Sequence, residues 1–391
     1  MCEIIMVGCD LHAESMLLRI AKGVEPARTM AVRNTRQGRE KLLALLVGQR
    51  ASGRRVVFAY EASGQGFGLY DQLTDAGIEC HVLAPTKIAR PAQHGRRKTD
   101  ERDAELLLSA LRAHILAGNP LPKVWIPDPQ TRDDRELVRT RLDLGAKFSG
   151  IKAQIQGLLK RNTLERPAGV GKGWTKAFLA WLRGLARGAG LAPGAAGALS
   201  SLLRQRQFLA EEIARLDEQL SQLVCSPRYL AAMQRLTLLQ GVGALTALVF
   251  LTEMGDLNRF ANRRQVGAYL GLVPASHESG SRSDCKGHIT RQGPPRVRRV
   301  LCQAVWACVR RDGPHRAAYQ RIVAKNPKHK QVAVVASMRR LGIRMWRAGR
   351  DEPLRESRPA AAHRGRDQRP QFPPPNPHPL PSSLSVPGVK G

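Results

Sequence analysis

The first 115 residues switch repeatedly between two hydrophobic periods. EIIMVGCDL (3–11), ESMLLRIA (14–21) and TMAVRN (29–34) are short apolar runs with polar breaks, which predict two strands of a hairpin and a third strand. TRQGREKLLALLVGQRA (35–51) opens on Thr and repeats leucine at helical spacing, predicting a helix. RRVVFAYEA (54–62) is the next strand, GLYDQLTDAG (68–77) a helix ended by glycine, and ECHVLAP (79–85) a further strand. TDERDAELLLSALRAHI (99–115) predicts a helix capped by Thr99 or Asp100. Three strands and a helix followed by alternating strands and helices is the element order of an RNase H-like α/β domain.

The pattern then changes. Residues 128–160 and 200–224 carry an apolar residue every three or four positions with charges between, predicting two long helices packed as an antiparallel coiled-coil arm. Between them, ERPAGVGKGW (165–174) and GLARGAGLAPGAAGAL (184–199) are rich in Gly, Ala and Pro and predict an irregular connection. Short helical patterns fill 229–349. Residues 347–391 hold ten of the 25 prolines and almost no periodic apolar positions, the composition of a disordered tail. The domains expected are therefore 1–125, an arm over 126–228, a mainly helical unit over 229–349 and a tail over 350–391.

Charge narrows the function classes. Lys and Arg outnumber Asp and Glu by 63 to 32, a net charge of +31, of which the tail carries only +4. A folded body this basic calls for a polyanionic partner, nucleic acid first. No apolar run is long enough to span a bilayer, and the N-terminus lacks the basic and apolar regions of a signal peptide, so no membrane role and a cytoplasmic location are expected. The seven cysteines are scattered without a CxxC pair, consistent with reduced thiols and no zinc.

Against that excess of cations, four carboxylates stand out. Asp10 and Glu61 end apolar strand-like runs, and Asp100 and Asp103 are spaced i, i+3 at a helix start, so the last two share a face. Carboxylates gathered from two strands and a helix repel one another unless a divalent cation neutralises them, and Mg²⁺ prefers oxygen ligands. The quartet therefore predicts a metal site for phosphoryl chemistry, with Mg²⁺ as the metal and Mn²⁺ as a substitute. Each acid taken alone reads first as a solvated side chain or helix cap. Lys87, Arg90, Arg96, Arg97 and Lys98 lead up to Asp100 and would guide a phosphate backbone, although such a run is also an ordinary solvated loop.

Two further motifs have two readings each. LTLLQGVGALTALV (236–249) resembles a helix-hairpin-helix turn in which Gly241 and Gly243 let backbone N–H groups approach a phosphate; a plain tight turn is the alternative. The stretch from 270 to 301 sets Ser276, Ser279, Ser281 and Ser283 among Lys286, His288, Arg291, Arg296, Arg298 and Arg299, before a helix that Pro294 or Pro295 opens. Its hydroxyls either bind phosphates or include a nucleophile assisted by the surrounding positive charge. His277 and His288 lack ligand spacing, and the five tryptophans, at isolated apolar positions, mostly suit core packing.

VGCD with Asp10, YEASGQG with Glu61, KTDERDA with Asp100 and Asp103, and the run LQGVGALTALVFLTEMGDLNRF through AYLGLVPASHESG to HITRQG occur in this order. Together they resemble the DEDD transposases of the insertion-sequence-110 family and the related pilin-gene invertases, over about residues 4–349. The resemblance implies a Holliday-junction-resolvase-like RNase H domain with Asp10, Glu61, Asp100 and Asp103 as metal ligands. It implies a coiled coil for assembly as a dimer or tetramer, and a helical domain supplying a catalytic serine, Ser279 first and Ser276 second. It also implies recombination through a covalent serine–DNA bond, acting on double-stranded DNA and guided by a non-coding bridge RNA. A hydrolytic resolvase-like nuclease and a non-catalytic nucleic-acid-binding relic are the rival readings. GPPRVRR departs from the Gly-Asn-type turn usual before the last basic helix, and the Pro-rich tail has no counterpart in the family.

Overall fold

The computed structural model describes residues 3–88, 99–171, 173–276, 286–325 and 327–350. The Pro-rich tail, Arg90, Arg96, Arg97, Lys98, His277, Ser279, Ser281 and Ser283 lie outside them. The chain divides into two compact units, Met1–Asp133 and a second beginning at Asp134.

In the first unit, β1 (Ile4–Leu11), β2 (Ser15–Lys22) and β3 (Arg28–Arg33) form an antiparallel meander, and helix α1 (Arg36–Ala51) follows. β4 (Arg55–Glu61), α2 (Gly68–Asp75) and β5 (Glu79–Leu83) complete a five-stranded sheet of order β3-β2-β1-β4-β5, in which β4 and β5 run parallel to β1. Helix α3 (Asp100–Ala117) comes next, and every strand and helix expected over this stretch is present.

Strand alternation sorts the apolar residues onto two faces. Ile5, Val7, Cys9 and Leu11 of β1, with Phe58 and Tyr60 of β4, pack on Leu42 and Leu46 of α1 and Leu69 and Leu73 of α2. Met6 of β1, with Val57 and Ala59 of β4, faces Leu107, Leu108 and Leu111 of α3. Burying each of those three leucines contributes about 1.5–3 kcal/mol and seats α3 on the sheet. Arg19 of β2 fixes its azimuth, pairing with Glu105 at 2.7 Å and Glu101 at 3.0 Å.

Helix α4 (Pro129–Arg161) is opened by Asp128, whose carboxylate accepts from the Thr131 amide at 2.9 Å and hydroxyl at 2.7 Å. In the second unit it runs antiparallel to α6 (Pro193–Val224): Arg141 pairs with Asp217 at 2.7 Å near one end, and Ile155 and Leu158 share a core with Leu199 near the other. The connection expected to be irregular holds a third helix, α5 (Lys176–Ala186), whose Phe178, Leu182 and Leu185 fill that same core. α6 starts at Pro193, seven residues ahead of the expected position. Proline suits the first turn, alanine has the best helix propensity, and burial of Ala196 and Leu199 offsets the cost of Gly194 and Gly197.

In the rest of the second unit α7 (Leu230–Thr237), α10 (Pro295–Val309) and α12 (Lys330–Gly349) pack around a central α8 (Ala244–Met254), with α9 (Arg263–Tyr269) against α12 and α11 (Pro314–Lys325) against α10 and α12. Every residue of α8 from Ala247 to Met254 is buried, including Glu253. That carboxylate is compensated by Arg139 of α4 through two hydrogen bonds of 2.7 and 3.0 Å, while Arg135 donates to the carbonyl of Thr252 at 3.0 and 2.8 Å. Trp346 is buried and donates to Leu257 O at 2.9 Å, and Trp174 and Trp181 pack about Phe178, whereas Trp306 is partly exposed against Tyr319. Strands β6 (Pro274–Ser276) and β7 (Lys286–Ile289) form a small antiparallel pair. Among the described residues no helix is long and apolar enough to cross a membrane.

Candidate active site

Four carboxylates reach the same end of the sheet because of register and one glycine. β1 and β4 are parallel, with Cys9 opposite Tyr60, so Asp10 and Glu61 occupy the next matched position on neighbouring strands and point to the α3 face. On that face Gly8 lies directly under α3: a Cβ there would stand 2.4 Å from the Ala104 carbonyl oxygen and 2.4 Å from the Leu108 amide nitrogen. Only glycine lets the helix come this close. Asp10 is two residues further along the strand from that contact, and Asp100 and Asp103 lie within the turn of α3 preceding Ala104. Thr99 caps the helix, its hydroxyl accepting from the Arg102 amide at 3.4 Å. The acids of the first turn also complement the positive end of the helix dipole.

His12, two residues past Asp10, is the participant that sequence reasoning missed. Its Nε2 lies 3.1 Å from Asp10 Oδ2 and 3.6 Å from Asp100 Oδ1, between the two carboxylates. Potential ligand atoms of Asp10, His12 and Asp100 all fall within 4.8 Å of one another. The signal was the D-x-H spacing in DLHAES: alternation puts Asp10 and His12 on one side of an extended strand. Asp10 is only 14% exposed, whereas Asp100 is 60% exposed. Burial pushes the Asp10 carboxyl above the usual carboxylate range; His12 works against that rise, and Asp103 and Asp100 add to it. Asp103 is therefore within electrostatic reach of Asp10. Glu61, half-buried, is brought near by register. Hard oxygen donors gathered about a mostly buried carboxylate fit a divalent cation such as Mg²⁺. Cys9, beside Asp10 in sequence, faces the opposite core, and burial holds its thiol far above the ordinary range, so it is no ligand.

The expected phosphate contacts divide by environment. Lys87 ends a short 3-10 turn after β5. Gly241, at φ +81°, is packed under α10, where a Cβ would meet Cys308 Sγ at 2.5 Å and Ala304 O at 2.7 Å; Gly243 caps α8 with open space around it. The packing under α10 by itself accounts for the glycine at 241. Arg298 donates to the carbonyls of Leu270, Gly293 and Gln292 at 3.2, 3.0 and 3.4 Å, holding the TRQG turn against the end of α9. Arg291, at φ +54°, and Arg299 are exposed. Arg296 pairs with Asp143 at 3.1 Å. Ser276 and Lys286 are paired residues of β6 and β7, and the serines between those strands are outside the described residues.

Sheet, crossing helix and converging acids define a mixed α/β protein with an acidic centre at one sheet end. Residues 7–163 match the profile of a DEDD transposase family of the IS110 type, and residues 233–320 match that of the transposase IS116/IS110/IS902 family. Among similar proteins, the putative transposase y4qE of Sinorhizobium fredii is 33% identical over 257 residues, covering 66% of this chain and 59% of the relative. The putative transposase y4rJ of the same organism is 31% identical, covering 66% of each chain. The transposase for insertion sequence element IS1533 of Leptospira borgpetersenii is 24% identical over 77% of this chain and 84% of its own. The chain thus spans 59% and 66% of the length of the first two. It belongs to the IS110 family of DEDD transposases.

Proposed function

We propose that this protein is a DNA transposase that cuts and rejoins strands at the ends of an insertion element. The observation that carries the reading is the convergence of Asp10 and Asp100 about His12 at one end of the sheet, with Glu61 and Asp103 beside them. An acidic centre in a chain of net charge +31 suits a cation held against a polyanion. The strand order, a three-stranded meander followed by parallel β4 and β5, supports an RNase H-like reading of the first unit.

In this proposal Asp10, Glu61, Asp100 and Asp103 hold Mg²⁺, with Mn²⁺ as a substitute. The ion, when bound, supplies Lewis-acid stabilisation of charge on the scissile phosphate and the leaving 3′ oxygen. His12 orients the Asp10 carboxylate. The hydroxyl of Ser279, with Ser276 as second choice, attacks phosphorus: an Oγ–P bond forms to the 5′ phosphate, the P–O3′ bond breaks, and the 3′ oxygen takes up a proton. Exchange of two duplexes calls for a dimer or tetramer, with the α4–α6 arm as interface, and a non-coding RNA as guide.

The test is a covalent trap. Full-length protein, co-expressed with its flanking RNA, is mixed with end-labelled junction DNA and Mg²⁺ and resolved under denaturing conditions. Wild type is expected to give an adduct that Ser279→Ala and Asp10→Ala both abolish. Metal-dependent cleavage without an adduct would replace this reading with hydrolysis by activated water, and an adduct surviving in Ser279→Ala would move the nucleophile to a neighbouring serine.

A further inference from the structure

The arm is charged very unevenly along its length. Residues 144–210, its distal half, contain eleven Lys and Arg and a single acid, Glu165; from Arg166 to Ala210 there is no Asp or Glu at all. The proximal segments, 134–143 and 211–224, hold seven acids against four arginines. The ion pairs follow the same division. Arg139 with Glu253, Arg141 with Asp217 and Arg215 with Glu212 are all proximal, and among the described residues no Lys or Arg of 144–210 pairs with a carboxylate. A helical arm made only for packing would alternate its charges along the whole length.

The uncompensated cations converge. Arg183 of α5 and Arg187 just past its end, with Arg204 and Arg206 from α6, line one open cavity of about 390 Å³. Its polar neighbours are Ser200 and Gln207, and Arg204 donates to Ser200 Oγ at 2.9 Å. Arg183, Arg187 and Arg204 are exposed. Arg206 is held from behind: its guanidinium lies 5.3 Å from the Phe148 ring and 5.4 Å from that of Trp174, and Lys152 sits over the same two rings at 4.9 and 5.2 Å. Arg206 Nε is buried without a hydrogen-bond partner. Burial and the neighbouring Arg183 both disfavour its charge, and burial and Arg206 do the same to Lys152. Folding has gathered like charges here at a cost, and an anion would relieve it. Planar guanidinium groups, one of them held on aromatic faces, suit the paired oxygens of a phosphodiester.

We propose that the distal half of the arm is a DNA-backbone-binding surface centred on Arg183, Arg187, Arg204 and Arg206. The choice of DNA rests on the transposase reading, which requires that polymer. The basic part of α6, 193–210, is about 27 Å long at 1.5 Å per residue, the length of about eight base-pair steps. Phosphate contact from such a surface is independent of sequence, so it adds affinity and orientation without selecting a site.

The test measures binding alone, in EDTA, so that its failure is separate from failure of the covalent trap. Full-length protein is titrated into a fluorescein-labelled DNA duplex of mixed sequence, about three helical turns long, and into an RNA hairpin of similar length, over a range of KCl. The variant Arg183→Gln/Arg187→Gln/Arg204→Gln is expected to bind duplex about 10- to 100-fold more weakly at low salt, with a salt slope shallower by about two to three. The corresponding triple lysine variant, which keeps the charge, is expected to retain most of the affinity. Duplex affinity and slope within twofold of wild type would overturn the proposal, and a loss confined to the RNA hairpin would replace DNA with RNA as the occupant. Should the glutamine variant melt below wild type, phenylglyoxal modification of the wild-type chain takes its place: duplex is expected to protect Arg183, Arg187 and Arg204, and equal modification with and without DNA would overturn the proposal.

Discussion

Gly8 and Ala104 are in contact so close that no side chain fits between them: a Cβ on Gly8 would lie 2.4 Å from the Ala104 carbonyl oxygen. This contact sets the height of α3 above β1 and thereby the distance from Asp10 to Asp100. Because the obstructing atoms are backbone, the helix must shift to admit a methyl group. Gly8→Ala is expected to cost about 1–3 kcal/mol or more in unfolding free energy and to weaken Mn²⁺ binding. Denaturant unfolding and metal titration check it; a variant with wild-type metal affinity would show that α3 does not set the site.

The acidic centre predicts opposite effects on stability and on metal response. Asp10→Asn and Asp100→Asn each remove one of several repelling charges, so in EDTA either variant should melt at or above the wild-type temperature. Added Mg²⁺ or Mn²⁺ should stabilise wild type, by about 2.7 kcal/mol at a hundred times the dissociation constant, and should do little for the variants. Strand cleavage should fall by at least about a hundredfold in both. Thermal melts with and without metal, paired with a cleavage assay, decide the matter.

Glu253 is a buried carboxylate whose charge is answered mainly by Arg139. Removing one partner leaves the other charged in a poor solvent. Arg139→Met is expected to destabilise the second unit by about 3–5 kcal/mol, whereas the double variant with Glu253→Leu should recover much of that loss. A double-mutant cycle on unfolding free energies measures the coupling.

Two arginines one residue apart should behave differently. Arg298→Ala removes hydrogen bonds to three backbone carbonyls and is expected to cost about 1–3 kcal/mol. Arg299 is exposed, so Arg299→Ala should leave stability within about 0.5 kcal/mol while lowering affinity for duplex DNA and its salt dependence. Melting curves together with salt-dependent binding separate the two roles.

His81, only 11% exposed, is held below its ordinary proton affinity by burial and then by Lys123. Its unfolded form takes up a proton near pH 6.5, while the folded form resists. The stability tied to it is therefore complete above that pH and lost as pH falls through the lower folded value. Melting temperature should drop on acidification below about pH 6.5, and less steeply in His81→Gln; equal slopes would exclude His81 as the cause.

The sequence by itself determined the elements of the first unit, because strand and helix periods are local properties of the chain. It also singled out Asp10, Glu61, Asp100 and Asp103 against a basic background, and motif order was enough to bring out the family. It did not reveal α5, since glycine-rich flanks hid a short helix whose Phe178 and Leu182 are stabilised by α4 and α6 and by little of their own propensity. His12 is not legible in the sequence because a histidine's role depends on what faces it across space. Likewise Arg298 and Arg299 look alike as letters, and only the fold commits the first to backbone carbonyls and leaves the second to solvent. Partnership between residues far apart in the chain, as between Gly8 and Ala104 or among the four arginines of the arm, is decided by packing, which brings together groups that no local period relates.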